Sequence, residues 1–270
     1  MNEKAKELLG KEKYDFADLC RVMEILRGEG GCPWDREQTH ESIRKNFIEE
    51  TYEVVEAIDT KDAHLLCEEL GDVLLQVVFH TEIEREAGRF TVGDVTDGIV
   101  KKLIYRHPHI FADTAAETAD QVLDNWDKLK AKEKHRDTVT SSMRSVPRPL
   151  PALMRAEKVG KRAAKVGFDF ATAADAAAKI AEETNEVLTA PAATRAEEIG
   201  DLLFAVVNVA RKCGVDPERA LSDATDKFID RFEGVENAVL ADGKTMEALP
   251  LSVLDGYWDR VKTAGNGENI

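Results

Sequence analysis

The chain has 270 residues, and its 37 Lys and Arg against 52 Asp and Glu give a formal net charge of −15. At ~150 residues per domain, this length predicts one large domain or two small ones. The acidic excess argues against a nucleic-acid polymer as a partner, because neutralising a phosphate backbone requires a basic face. A small anionic ligand is compatible with it, since only the ligand's pocket must be positive.

Nothing in the sequence indicates a membrane or a secreted protein. No apolar run approaches the ~20 residues that span a bilayer, and the charged N-terminus, MNEKAKELLGKEK, lacks the apolar stretch of a signal peptide. The cysteines have no CxxC or zinc-site spacing; they are Cys20, Cys32, Cys67 and Cys213. We therefore expect a cytoplasmic protein with reduced thiols and no membrane contact.

Apolar residues recur at the helical period through most of the chain, whereas strand signals are almost absent. The fold class is therefore predicted to be all-α. The predicted helices cover residues 16–27, 41–59, 62–87, 93–105, 118–136, 152–165, 173–189, 195–213, 217–240 and 252–263.

A proline-rich segment separates two groups of helices. Residues 137–151 contain Pro147, Pro149 and Pro151, a density at which a helix cannot continue. The predicted organisation is an N-terminal domain at 1–136, a linker at 137–151 and a C-terminal domain at 152–270.

The two sides of this linker repeat each other. EETYEVVEAI at 49–58 and EELGDVLLQVV at 68–78 correspond to EETNEVL at 182–188 and EEIGDLLFAVV at 197–207. Each half continues with a Lys-x-x-x-Arg and then a Trp-Asp; these are Lys102, Arg106 and Trp126, then Lys227, Arg231 and Trp258. The order of these four features predicts a tandem internal duplication.

Acidic residues lie where burial is expected. The helix predicted over 62–87 is apolar on most sides, and only Glu69, Asp72 and Gln76 form a narrow polar stripe. Buried carboxylates are costly unless they are paired or bind a metal. If the two acidic helices of each half pack antiparallel, four carboxylates converge in each; they are Glu50, Glu53, Glu69 and Asp72, and Glu183, Glu186, Glu198 and Asp201.

Such an all-oxygen set suits a hard cation, Mg²⁺ or Mn²⁺. The alternative is that Lys and Arg side chains pair with these acids. A di-iron carboxylate centre is disfavoured because it requires two Glu-x-x-His motifs, and the single one, Glu37 to His40, lies outside the stripes. Gly71 and Gly200 precede the aspartates inside helices, which indicates a close approach by a backbone or a ligand.

Magnesium held by carboxylates is typical of phosphate chemistry. The Lys-x-x-x-Arg pairs share a helix face and could hold a polyphosphate, and Trp126 and Trp258 could stack a base. Solvated cations and ordinary core tryptophans are the alternatives. No P-loop or GxGxxG is present, and no Ser or Cys nucleophile has a His partner, so water is the remaining nucleophile.

These residues resemble the MazG family of nucleoside triphosphate pyrophosphohydrolases. The matching stretches are GCPWDREQTH, IEETYEVVEAI, CEELGDVLLQVVFH, YRHPHIFAD, LPALMRAEKVGKRAAKVGFDF, EETNEV, EEIGDLLFAVVN and DKFIDRF. The resemblance implies tandem four-helix-bundle-like domains, Mg²⁺ dependence, a homodimer, and cleavage of an NTP to NMP and pyrophosphate. A non-catalytic dimerisation or regulatory module is the alternative, and turnover of Mg-NTP would distinguish the two.

The resemblance also implies roles for individual residues. In the second half the metal ligands, which carry the catalysis, would be Glu183, Glu186, Glu198 and Asp201. The nucleotide would contact Lys179, Glu182, Arg195, Lys227, Arg231 and Trp258. The sequence departs from the family's pattern at Gly160 and at Thr194, where a Lys is expected and Arg195 could substitute.

The two halves differ in the cations beside their acids. Lys179 lies one turn before Glu183, where the first half has Asn46, and Arg195 corresponds to Leu66. Because a triphosphate is strongly anionic, the extra cations predict that the second half performs most of the catalysis. The first half would be a degenerate copy or a site for another substrate.

Overall fold

The computed structural model describes residues 3–112, 118, 121–122, 125–126, 129–130 and 138–266. The chain divides into two compact units, residues 1–130 and 131–270. The first unit contains α1 (Glu3–Leu9), α2 (Phe16–Arg27), α3 (Pro33–Glu37), α4 (Arg44–Thr60), α5 (Ala63–Glu86), α6 (Val92–Arg106) and α7 (Pro108–Phe111). The second contains α8 (Val139–Arg144), α9 (Ala152–Ala164), α10 (Ala173–Thr189), α11 (Arg195–Lys212), α12 (Pro217–Ala241), a 3₁₀ turn (Met246–Ala248) and α13 (Leu251–Asn266).

The all-α class is confirmed, and the described residues include no strand. The long predicted helices are present with ends shifted by a few residues, whereas much of 118–136 lies outside the described residues. The short helices α1, α3, α7 and α8 were not predicted, because no helical period of apolar residues marks them in the sequence. No helix in the described part of the chain has the length and apolar character needed to cross a membrane.

The segment predicted as a linker contains structure of its own. Thr138 caps α8 by accepting a hydrogen bond from the backbone N–H of Ser141, and α8 packs against α9. Arg162 of α9 donates a hydrogen bond to the hydroxyl of Ser145 at 3.0 Å. At least 138–145 therefore belongs to the second unit, and the boundaries at 136 and 152 remain predictions.

In the first unit, α4 and α5 form a tightly connected pair. The chain turns through Lys61, whose φ of 57° is left-handed, and Asp62 then caps α5 by accepting hydrogen bonds from the backbone N–H groups of His64 and Leu65. Such a short connection folds α5 back antiparallel along α4. This geometry places acidic residues of both helices beside one another.

In the second unit, α10 and α11 repeat this pairing. Thr172 and Asp175 form a reciprocal capping box at the start of α10, and the 190–194 connection leads back into α11. Helix α9 crosses α11 at Gly160, where an added Cβ would lie 3.3 Å from both the Arg211 Nε and the Asn208 Oδ1. This close approach accounts for glycine at one of the two positions that depart from the family's pattern.

Each unit has a compact apolar cluster away from its converging acids. In the first unit α2 packs against the C-terminal half of α5 through Met23, Val78 and Phe79. In the second unit α12 packs against α13, and the buried residues there are Val235, Val239 and Tyr257. The first cluster anchors one end of the acidic helix pair, whereas the second lies on α12 and α13, beside the pair.

The acidic ends of the pairs are less covered than the sequence suggested. Leu70 and Leu74 of α5 are 51% and 40% exposed, and Ile199 and Leu203 of α11 are 44% and 49% exposed. The expectation that these helices are buried on nearly all sides is therefore wrong for a single chain. In the described part of each unit, the neighbouring helices leave part of the circumference of α5 and α11 uncovered.

His40, which lies between α3 and α4, connects this part of the chain to α5. Its Nδ1 lies 2.7 Å from the Nδ1 of His80, and the two rings stack with their centroids 5.0 Å apart. Its Nε2 lies 2.5 Å from a carboxylate oxygen of Glu84. The Glu37-x-x-His40 motif thus contributes a packing contact, separate from the acidic stripes.

The glycine-rich segment GEGGC at 28–32 ends α2 instead of cradling a phosphate. Gly30 has a φ of 74°, and the backbone N–H of Cys32 donates to the carbonyl of Leu26 at 2.7 Å. This turn brings Gly31 back against the last turn of α2. A Cβ added at Gly31 would overlap the carbonyl oxygens of Ile25 and Leu26.

We expect Gly31→Ala to destabilise the first unit by more than ~2 kcal/mol, because backbone atoms must move to admit the methyl group. Gly98→Ala is the matched control, since nothing lies within 4 Å of a Cβ built inside α6 and alanine gains up to ~1 kcal/mol of helix propensity. Urea unfolding followed by circular dichroism measures both. Equal midpoints for the two variants would contradict this account of the turn.

Candidate functional site

In the first unit, three acids meet across the α4/α5 pair. Glu50 comes from α4, and Glu69 and Asp72 come from adjacent turns of one face of α5. One carboxylate oxygen of each lies within 4.8 Å of the others. Glu69 is only 9% exposed, so the cluster is partly withdrawn from water. This spacing allows the three to share one ion.

The second unit repeats the cluster with a different membership. Glu183 and Glu186 of α10 and Glu198 of α11 have carboxylate oxygens within 4.8 Å of one another. Glu183 is buried, whereas Glu186 is exposed. The structure thus brings together three of the four acids predicted in each half. Glu53 and Asp201 lie beside the clusters, where their charges reach the other carboxylates.

Crowding and burial disfavour the ionised forms of these acids. The pKa values of Glu50 and Glu69 are raised, first by burial and then by neighbouring carboxylates. The pKa of Glu198 is raised by burial and by the nearby charge of Glu186 and other acids. A cation at either cluster would relieve this repulsion and restore the ordinary preference for ionised carboxylates.

A lysine partly neutralises the second cluster. Lys179 Nζ lies 2.7 Å from Glu183 Oε1 and 2.9 Å from Glu182 Oε1, and these contacts raise the lysine's pKa. The corresponding first-unit residue is Asn46. Lys45 of the first unit pairs instead with Glu49, at 2.9 Å on the exposed side of α4.

Arg195 lies at the start of α11 but makes a structural contact there. Its Nη2 donates a hydrogen bond to the carbonyl oxygen of Ala190 at 3.1 Å, at the end of α10. The structure therefore connects this cation to the α10/α11 connection and not to the carboxylates. Its predicted contact with a nucleotide remains a prediction.

The remaining predicted cations of the second unit lie on α12, which contacts α11 and α13. Within the described residues, Lys227 and Arg231 form no ion pair and no side-chain hydrogen bond, so their charges are available to an anion. The ring of Trp258 lies 5.2 Å from that of Phe228 and packs against the α12/α13 core. Trp258 is thus partly a core residue, in agreement with the alternative interpretation of the sequence, an ordinary core tryptophan.

The equivalent first-unit residues are arranged differently. Lys102 is exposed, but Arg106 is 5% exposed and its guanidinium lies 5.3 Å from the ring centroid of Trp126. Lys130 Nζ lies 5.7 Å from the same centroid. The indole of Trp126 therefore already contacts two cations, whereas Trp258 contacts a phenyl ring.

The glycines before the aspartates face open space. Nothing in the described chain lies within 4 Å of a Cβ built at Gly71 or Gly200. The close approach that the sequence suggested does not come from the described part of this chain.

Comparison with known proteins gives a consistent match. The model of the MazG nucleotide pyrophosphohydrolase domain matches residues 38–111 and 171–235, which contain the two acidic helix pairs. A nucleoside triphosphate pyrophosphohydrolase/pyrophosphatase MazG of Thermotoga maritima is 45% identical over 92% of this chain and 95% of its own length. Nucleoside triphosphate pyrophosphohydrolases of Escherichia coli and Mycolicibacterium smegmatis are 44% and 39% identical, over 90% and 93% of this chain and over 95% and 72% of their own lengths.

We expect Glu198→Gln to raise the melting temperature of the metal-free protein at neutral pH. The pKa of Glu198 is raised in the folded protein, so its ionised carboxylate lowers the free energy of unfolding. This destabilisation disappears as the pH falls towards the ordinary glutamate pKa of ~4.3, because the carboxyl is then protonated in the folded state. The gain should therefore shrink as pH is lowered. Melting in EDTA across a pH series measures it, with the exposed Glu236→Gln as control. A lower melting temperature for Glu198→Gln at neutral pH would contradict the repulsion argument.

Proposed function

The chain belongs to the MazG nucleotide pyrophosphohydrolase family, and from this premise we propose that it hydrolyses nucleoside triphosphates to nucleoside monophosphates and pyrophosphate. The observation that carries the proposal is the duplicated carboxylate cluster, whose oxygens lie within 4.8 Å of one another in each unit. Ribo- and deoxyribonucleotides are both candidate substrates, and water is the nucleophile.

The donor set fits Mg²⁺, with Mn²⁺ as a substitute. All the converging ligands are carboxylate oxygens, which hard divalent cations prefer, and no His or Cys belongs to either described cluster. Glu183, Glu186, Glu198 and Asp201 would hold the ion in the second unit, and Glu50, Glu53, Glu69 and Asp72 would hold it in the first. When bound, the ion supplies Lewis-acid chemistry, offsetting phosphate charge and making water a better nucleophile.

The protein's own side chains bind and orient the triphosphate. Lys227 and Arg231, four residues apart on α12, share a face and present to the phosphates two charges that no described side chain pairs. Lys179, whose ammonium pairs with Glu183 and Glu182, lies beside the acids that would hold the ion and could contact a phosphate there. Trp258 and Phe228 provide an aromatic surface for the base.

We further propose that two copies of the chain associate. Apolar side chains stay exposed along the acidic helix pairs of both units; they are Ile48, Tyr52, Val55, Ile58, Leu70, Leu74, Ile199, Leu203, Phe204 and Val206. Exposed apolar surface of this extent is typical of protein interfaces. A second copy would cover it, and would also supply an approach to the open faces at Gly71 and Gly200.

The products of the reaction test the proposed bond cleavage. We expect NMP and pyrophosphate from ATP or dGTP with Mg²⁺, because a carboxylate cluster without a P-loop does not enclose a terminal phosphate. Anion-exchange chromatography of early time points identifies the products. NDP with orthophosphate as the first products would contradict the proposal, and binding of Mg-NTP without turnover would favour the non-catalytic module.

A paired substitution tests which unit performs the reaction. Glu198→Gln in the full-length chain should remove most activity, at least tenfold, because it removes a ligand from the unit that has Lys179. Glu69→Gln should leave most activity towards the same nucleotides. Assays of both variants across all NTPs and dNTPs measure this, with circular dichroism to verify folding. Loss with Glu69→Gln and retention with Glu198→Gln would reverse the assignment.

A further inference from the structure

One lysine distinguishes the surroundings of the two acidic clusters. Lys179 Nζ lies 2.7 Å from Glu183 Oε1 and 2.9 Å from Glu182 Oε1. Glu183 belongs to the converging set of the second unit, and its side chain is only 8% exposed, whereas the lysine side chain is 40% exposed. The ammonium group therefore borders the second cluster and remains in contact with water.

The first cluster has no such neighbour. Its equivalent residue is Asn46, which lies one helical turn before Glu50 and is half-buried like Lys179. Within the described ranges, no Lys or Arg forms an ion pair with any of the three acids that converge there. The adjacent Lys45 pairs instead with Glu49, which lies outside the converging set. The two clusters thus differ by one positive charge at an equivalent position.

A positive charge at this position acts in opposite directions on two ligands. A free divalent cation is repelled by the ammonium group and must compete with it for the carboxylate of Glu183. A divalent cation bound to a triphosphate belongs to a complex that is still anionic, because the phosphates carry more charge than the ion neutralises. The same ammonium group attracts this complex, and it can donate a charge-assisted hydrogen bond to a phosphate oxygen.

We propose that Lys179 makes the second cluster select the cation–triphosphate complex over the free cation, whereas the first cluster, with Asn46, binds the free cation more tightly. This inference rests on the proposed function, because it takes both clusters, which lie in the ranges matched by the family model, to be cation sites. Cation binding and nucleotide binding are then coupled in the second unit. In the first unit the cation binds without the nucleotide.

Binding measurements on the full-length chain test this selection without turnover. Calorimetry measures the affinity for Mn²⁺ alone and for Mn²⁺ with an ATP analogue that has a methylene group between its α- and β-phosphorus atoms, which the proposed hydrolysis cannot cleave. Each cluster is measured with the other impaired. Proteins with Glu69→Gln report on the second cluster, and proteins with Glu198→Gln report on the first. Circular dichroism verifies that every variant is folded.

Two substitutions exchange the charge between the clusters, and a third is the control. Lys179→Met removes the ammonium group and keeps an unbranched side chain, and Asn46→Lys introduces the ammonium group at the equivalent place in the first unit. Lys45→Met is the matched control, because it removes a Lys–Glu pair with the same four-residue spacing that lies outside the converging acids. It changes the net charge of the chain as Lys179→Met does.

We expect the first cluster to bind Mn²⁺ alone more tightly than the second. Lys179→Met should raise the affinity of the second cluster for Mn²⁺ alone by about threefold to tenfold, the effect of one charge at a partly exposed site. It should lower the affinity for Mn²⁺ with the analogue by a similar factor. Asn46→Lys should weaken binding of Mn²⁺ alone at the first cluster, whereas Lys45→Met should leave both affinities unchanged.

The opposite signs of the two effects separate selection from a structural role. If Lys179→Met weakens binding of both ligands, the lysine holds the acids in place and the proposal is wrong. Unchanged affinity for Mn²⁺ alone, or the same effects from Lys45→Met, would also overturn it.

Failure of this inference is distinguishable from failure of the proposed function. If neither cluster binds Mn²⁺ alone while the unsubstituted chain still hydrolyses NTPs with Mg²⁺, the inference is wrong although the proposed function stands. If the unsubstituted chain neither binds nor hydrolyses NTPs, the proposed function itself fails, and the inference fails with it.

Discussion

Mutual repulsion among carboxylates is the constraint around which each unit is organised. Two packed helices hold three acids with oxygens within 4.8 Å of one another, and burial together with neighbouring charge raises the pKa of Glu50, Glu69 and Glu198. A fold selected for stability alone would separate these groups or replace them with apolar residues. Their retention at equivalent positions of both units indicates that a cation completes the arrangement. The short α4/α5 connection and the capped start of α10 hold the helices in register against this repulsion.

The apolar packing is distributed so that the acidic ends stay accessible. In α5 the core residues Val78 and Phe79 lie towards the C-terminal half and anchor the helix on α2, whereas Leu70, beside the acids, is half exposed. The helix is thus rigidly held at one end and open at the other, which suits a site that must admit a triphosphate. The same exposed apolar side chains are the surface that a second copy of the chain would cover. If two copies associate as proposed, substrate access and association depend on the same region of the fold.

The helical class and the long helices could be predicted from the sequence because their apolar period is strong and their ends carry capping residues, such as Thr172 and Asp216. The acids of the site were predictable because duplication displays them twice. Contacts between residues distant in the chain were not: no local pattern indicates that His40 meets His80 and Glu84, or that Arg195 caps α10. The exposure of Leu70 was also missed, because periodicity shows which faces are apolar but not whether a neighbour covers them. Gln76 was visible in the polar stripe, but its burial could not be predicted from that pattern.

Duplication within one chain lets two copies of a site diverge, which association of identical chains does not. Here the shared acids are surrounded by different neighbours: Asn46 stands where the second unit has Lys179, and Gln76 stands where it has Ala205. The second cluster has a counter-ion, Lys179, for its buried Glu183, which offsets part of the repulsion there. The first cluster lacks this lysine. The acidic residues of the helix pairs are common to both units, although the three that converge differ between the two clusters. Divergence has therefore changed the charges beside the acids more than the acids themselves.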